Sequence, residues 1–213
     1  MITDSYYKSR YVWNNDRPIV WREIVRYLGK FISKEATVLD LGAGYCDFIN
    51  NVICRKKIAL DYSVDFKQYA LPDVETIQSS VINMGLIADR SVDLVFASNL
   101  FEHLSDEELS LTIGEIKRIL KKEGRLILMQ PNYRLAYKTY FDDPTHKKVF
   151  SHVSLEAFLI SHGFIIELAK PKFLPFSLKS RPSLIPVFPW LIRAYINSPI
   201  KPLAGQMLFV AKL

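Results

Sequence analysis

The segment Val38–Ile49, reading VLDLGAGYCDFI, constrains the fold more than any other stretch of the chain. Residues 36–41 are a short apolar run with β-branched content that ends at glycine. That pattern predicts a parallel strand buried on both faces. Gly42 and Gly44 lack Cβ, so the turn after the strand can take positive φ and admit a ligand closely. A helix over 47–55, starting at Asp47, then points its free N–H groups back at the turn. In open α/β sheets, ligands bind beyond the carboxyl ends of the strands, so the turn marks a binding site.

The rest of the chain repeats this alternation. Lys57–Asp61, Val74–Gln78, Val92–Ser98 and Arg125–Gln130 read as further strands, with Phe164–Ala169 and Met207–Lys212 as late ones. Val64–Tyr69 reads as a short helix. Leu109, Ile113, Ile116 and Leu120 give Asp106–Lys121 a helical spacing, with Ser105 placed to cap it. Ser154–His162 is predicted as a helix capped by Ser154 and closed by Gly163. Strands alternating with helices imply an α/β fold, a three-layer, doubly wound and mostly parallel sheet, as one domain over residues 1–213.

Asp61 ends the second strand, twenty-one residues after Asp40. A carboxylate there can accept both hydroxyl protons of a ribose. A nicotinamide dinucleotide site also uses an acid at this distance, but its fingerprint needs glycine at position 47. The residue is Asp47, which repels a pyrophosphate, and Asp40 adds a second acid. The pair suits a cofactor with no phosphate and with an ammonium group. S-adenosylmethionine, with its sulfonium, amino-acid end and ribose, fits that description.

In order along the chain, VLDLGAG, IALDYS, SVDLVFASNLFEHL and LKKEGRLILMQPN resemble the motifs of class I methyltransferases of the small type 11/12 group. The resemblance covers about residues 20–168. It implies a seven-stranded sheet whose last strand is antiparallel, and S-adenosylmethionine as cofactor. It places the methionine end near Asp40, Gly42, Ala43 and Gly44, the ribose near Asp61 and Tyr62, the adenine near Ser80 and Val81, and the methyl group near Ser98 and Asn99. Two departures are Cys46, where relatives usually have glycine, and Ser79-Ser80, where an acid is common.

Transfer to a hydroxyl needs a general base, and a neutral imidazole suits that task. His146 and His152, in DDPTHKKVFSHVS after strand five, are the first candidates for catalysis, with His103 next. The pair Glu102-His103 also reads as an anchor for the following helix. His162, on the far side, reads as structural. Glu102, His103 and two downstream histidines resemble magnesium-dependent relatives, but those carry a carboxylate where this chain has Asn99, so no metal is expected.

The N-terminal segment 1–33 contains Tyr6, Tyr7, Arg10, Tyr11, Trp13 and Arg17. It reads either as a lid over the cofactor or as a helix packed on the sheet. Residues 171–202 hold seven of the eleven prolines and read as an insertion between the last two strands. No Asp or Glu follows Glu167, while seven Lys or Arg do. Basic residues around bulky apolar ones suit an anionic lipid interface, a polyprenyl-linked glycan or an ordinary substrate cap. Nucleic acid is a poor fit, since the bases of the patch are interleaved with aliphatics. There is no signal-like apolar run, and Cys46 and Cys54 form no disulfide framework. The expectation is therefore an enzyme of the cytoplasm or its membrane face, acting on a small-molecule or glycolipid acceptor.

Overall fold

The computed structural model describes residues 16–175 and 188–213. Its elements in chain order are α1 (Arg17–Leu28), β1 (Thr37–Leu41), α2 (Asp47–Asn51), β2 (Lys56–Asp61), β3 (Val74–Gln78) and β4 (Val92–Ser98). They continue with α3 (Asp106–Ile119), β5 (Leu120–Pro131), α4 (Tyr133–Ala136), α5 (His152–Ser161), β6 (Ile165–Lys170), α6 (Pro189–Asn197) and β7 (Gln206–Lys212). Single turns of 3₁₀ helix lie at Phe101–His103 and Tyr140–Asp142, and a longer 3₁₀ stretch covers Val64–Tyr69.

The seven strands form one sheet in the order β3-β2-β1-β4-β5-β7-β6. The pairings β1–β2, β1–β4, β2–β3 and β4–β5 are parallel, while β7 runs antiparallel to both β5 and β6. The order reverses at β1/β4, so the ends of β1 and β4 open a crevice at the switch point.

Every central strand is covered on both faces, as period-2 alternation requires. Leu39, Leu41, Leu126, Leu128, Met207 and Phe209 face a core completed by α3 and α5. Val38, Ile127, Met129, Leu208 and Val210 face the opposite core, completed by α1, α2 and α6. Burying such side chains stabilises the fold by roughly 1.5–3 kcal/mol each.

Local chemistry sets the helix starts. At α3, Ser105 Oγ accepts the Glu108 N–H at 3.2 Å and Glu108 Oε2 accepts the Ser105 N–H at 2.7 Å, a closed capping box. The cap of α5 is Ser151 and not Ser154, three residues earlier than the sequence indicates, and Ser154 instead returns the box from inside the first turn. The helix after the glycine turn is also shorter than expected, ending at Asn51, because Val52 returns to extended backbone.

Helix α6 lies within the proline-rich stretch and is tied to α1. Arg193 donates from Nε and Nη2 to the two oxygens of buried Glu23, at 2.9 and 3.1 Å. That guanidinium, more than any other group, draws the Glu23 carboxyl below its ordinary range. The aromatic residues Tyr6, Tyr7, Tyr11 and Trp13 of the expected lid, and residues 176–187 of the insertion, lie outside the described residues.

Candidate active site

The turn after β1 is shaped by backbone conformation. Gly42, Gly44 and Cys46 all take left-handed φ, at 73°, 51° and 56°. A Cβ on Gly42 would stand 3.2 Å from Leu100 Cδ1 and would strain the left-handed backbone, so glycine suits the turn. Gly42 and Ala43 both donate to the Leu60 carbonyl, locking the turn against β2. Cys46 takes a left-handed φ of 56°, the conformation that favours glycine. A non-glycine residue there carries left-handed strain of about 1–2 kcal/mol. Its thiol is fully buried, and burial followed by Asp40, Asp61 and Asp47 pushes its pKa up to about 12. The thiol is therefore inert at neutral pH.

Three acids surround this turn, and each is engaged differently. Asp61 accepts the Gly44 N–H at Oδ2 and the Ser63 N–H at Oδ1, both at 2.9 Å. Burial raises its pKa and those N–H groups oppose the rise. Asp40 is buried beneath the turn and accepts the Ile49 N–H, tying β1 to α2. Burial holds its carboxyl well above the usual range. Asp47, the acid that excludes a dinucleotide, is not bare: Arg17 donates to it at 2.5 Å and lies over the Tyr45 ring at 4.9 Å. The sequence expectation of two free negative charges beside the turn is thus modified, because Arg17 neutralises one. The ribose-type acceptor Asp61, the open glycine cradle and the charge-balanced turn fit an S-adenosylmethionine nucleoside and amino-acid end.

Farther along the crevice, the Tyr62 side chain is exposed, Val81 is buried, and Ser80 Oγ accepts weakly from Ile82 N at 3.5 Å. At the end of β4, Asn99 adopts φ 49°, which asparagine tolerates. Its Nδ2 donates to Ser98 Oγ at 3.3 Å, and its Oδ1 accepts from Gln206 Nε2 at 3.0 Å. Gln206 opens β7, so the last strand buttresses this edge.

The histidines divide into two settings. His103 and His146 come together, with ring centroids 4.9 Å apart. The His103 turn is clipped to the later loop by two bonds, Lys147 N and Lys148 N both donating to the Glu102 carbonyl. The Glu102 side chain is buried, and neither of its oxygens has a hydrogen-bond partner in the structure. Burial, with a smaller contribution from Asp143, pushes its pKa up to about 8. Glu102, His103 and His146 offer one donor atom each within 4.8 Å of one another, the one group with such spacing among the described residues. Asn99, at the end of β4, offers an amide and not a carboxylate, and that amide is bonded to Gln206.

His152 is held apart from that pair by Asn132. The amide Nδ2 of Asn132 donates to Pro171 O at 2.9 Å and meets His152 Nδ1 at 3.1 Å, while its Oδ1 accepts the Arg134 and His152 N–H groups. An amide so oriented gives its N–H to Nδ1, which leaves the His152 proton on Nε2. His162 Nδ1 bonds the Phe158 carbonyl inside α5, as a structural residue does. Thr145, Asp143, Asn132 and Gln206 were not among the sequence candidates. The only sequence signal for the first two was Asp143-Pro144-Thr145, a turn signature.

A methyltransferase-domain family profile (type 11) matches residues 39–128. An uncharacterized protein of Methanocaldococcus jannaschii is 30% identical over 170 residues, covering 78% of this chain and 72% of that one. A wheat (Triticum aestivum) phosphoethanolamine N-methyltransferase 1 is 28% identical over 70% of this chain, which spans 32% of that protein's length. Among solved structures, an S-adenosylmethionine-dependent methyltransferase of Archaeoglobus fulgidus superposes with TM-score 0.73 at 21% identity. That superposition covers 99% of this chain and 100% of the other. With the strand order, the glycine cradle and Asp61, these likenesses have one reading: the chain belongs to the class I S-adenosylmethionine-dependent methyltransferases.

Proposed function

We propose that the protein O-methylates a small-molecule, sugar or lipid-linked glycan acceptor, with His103 as the general base. The observation that carries this reading is the imidazole pair, His103 and His146, with His103 on the turn that follows β4. When bound, S-adenosylmethionine supplies an electrophilic methyl group on a positively charged sulfur. Gly42, Ala43, Gly44 and Asp61 hold it, and Ser98 and Asn99 border the place where an acceptor meets it. With the leaving group already activated, positioning supplies much of the rate. The chain's remaining task is to take the hydroxyl proton. His103 is four residues past Asn99, whereas the His146 side chain is only 4% exposed and packs on Tyr140.

The test is a labelled-methyl screen against sugars, envelope lipids and small hydroxyl metabolites. We expect label on oxygen, and His103→Ala to lower turnover by about 10²–10⁴-fold while S-adenosylhomocysteine affinity holds. Label on carbon or nitrogen, or a His103→Ala enzyme at wild-type rate, overturns the reading. The wheat relative, named for an amine acceptor, makes nitrogen the alternative to include.

A second observation favours acceptors at a lipid surface. Trp190, Ile200 and Leu203 are 64%, 77% and 88% exposed, beside exposed Phe188 and Leu191, in a stretch with cations and no acids. Among the described residues no helix is long and apolar enough to cross a membrane, so contact would be peripheral. Pelleting with anionic vesicles, and its loss in Trp190→Ala/Leu203→Ser, is the expected result. Equal recovery with and without vesicles would remove this part of the proposal.

A further inference from the structure

We infer that Thr145 and Asp143 are positioning residues that hold the His103 imidazole in its Nδ1–H form, so that the lone pair stays on Nε2. The inference deepens the reading of His103 as the base and draws its functional meaning from that reading.

Asp143 Oδ1 accepts two bonds from Thr145, one from its N–H at 3.0 Å and one from its hydroxyl at 2.5 Å. The hydroxyl proton is thereby committed to the carboxylate. Thr145 Oγ1 stands 2.9 Å from His103 Nδ1, and with its proton spent it can only accept there. The Thr145 carbonyl oxygen is 3.3 Å from the same nitrogen, and a carbonyl never donates. Both oxygens therefore require a proton on Nδ1. A neutral imidazole carries one N–H, so Nε2 is its acceptor atom.

The surroundings support this assignment. The loop carrying Thr145 lies forty-two residues from His103 in sequence, yet the bonds from Lys147 and Lys148 to the Glu102 carbonyl pin it beside that turn. Ionisable neighbours include Glu102 on the same turn and Tyr140 and His146 on the facing loop. Burial pushes Glu102 up to about 8, so it stays largely protonated at neutral pH. The Tyr140 hydroxyl donates to Lys148 O at 2.5 Å. His146 Nδ1 faces the Tyr140 carbonyl at 2.5 Å, and its Nε2 lies 4.0 Å from the other Asp143 oxygen. His146 thus shares the tautomer. His152, which accepts from Asn132 at Nδ1, has the opposite form. His103 is oriented by a hydroxyl that is itself backed by a carboxylate. This is the same logic by which a third group orients the base in hydrolase triads.

The test needs no acceptor. Protein labelled with ¹⁵N-histidine is examined by two-bond ¹H–¹⁵N correlation at about pH 8, where ordinary imidazoles are neutral. The variants are Thr145→Val, Thr145→Ser and Asp143→Ala, with S-adenosylhomocysteine affinity as the check on folding. We expect His103 to be the Nδ1–H form in the native protein and in Thr145→Ser. In Thr145→Val the ratio of Nδ1–H to Nε2–H should fall roughly fivefold, the weight of one hydrogen bond. Asp143→Ala should shift the ratio the same way, because it frees the Thr145 proton to point at Nδ1. An Nε2–H signal in the native protein, or a Thr145→Val spectrum identical to it, overturns the inference. The two readings fail separately. A locked tautomer with undiminished turnover in His103→Ala sinks the base and spares the positioning pair. An unlocked tautomer with His103-dependent turnover does the reverse.

Discussion

Around the glycine turn the crevice is shaped mainly by main chain, whereas beyond β4 and β5 it is shaped by side chains. Around β1 and β2, the left-handed positions Gly42, Gly44 and Cys46 and the N–H groups of Gly44 and Ser63 set the shape, with Asp61 accepting from both N–H groups. Beyond β4 and β5, the shape depends on Glu102, His103, Asn132, Thr145, His146 and Gln206, drawn from segments far apart in sequence. A main-chain site can serve one cofactor across a whole family, since it depends on few side-chain identities. A side-chain site can be re-specified by substituting one loop.

The difference also predicts where stability is sacrificed. The region beyond β4 contains a buried carboxyl, Glu102, whose pKa is pushed up from its ordinary 4.5 to about 8. A raised pKa means that the folded state holds a proton that the unfolded state has released. The associated stability is therefore complete below about pH 4.5 and is lost as pH rises through 8. Glu102→Gln should remove this slope and leave the variant more stable than the native protein at pH 8–9, by a few kcal/mol. Urea denaturation at pH 5 and pH 9 measures it, and equal differences at the two pH values would contradict it.

On the cofactor side the corresponding buried acid, Asp47, has a partner. Arg17→Ala should cost about 2 kcal/mol by stranding that carboxylate. The added Asp47→Asn change should recover most of the loss. No rescue in the double variant would mean that Arg17 acts elsewhere. The smallest effect is expected at Cys46. Cys46→Gly relieves left-handed strain but loses a buried side chain, so net stability should move by less than about 1 kcal/mol. A loss above about 2 kcal/mol would show that thiol packing, not backbone geometry, dominates there.

Legibility in the sequence follows the same division. The strands, the turn at Gly42–Gly44 and Asp61 were readable because main-chain constraints leave local marks: apolar runs, glycines and an acid at fixed spacing. The start of α5 was misplaced because Ser151 and Ser154 both suit a cap, and their reciprocal bond decides only in three dimensions. Arg17 was readable as part of an N-terminal cover, but not as the partner of Asp47 thirty residues away. Thr145 and Asp143 were missed for a related reason. Their role depends on a forty-two-residue contact with His103, and the local signal, Asp-Pro-Thr, indicates only a turn.

The central claim is that this main-chain cradle, closed by Asp61, binds S-adenosylmethionine. Titration calorimetry with S-adenosylhomocysteine tests it most directly. The account predicts one site per chain and a roughly 30–100-fold weaker affinity in Asp61→Ala, the loss of a carboxylate bonded to hydroxyls. No binding by the native chain, or an affinity that Asp61→Ala leaves unchanged, would contradict it.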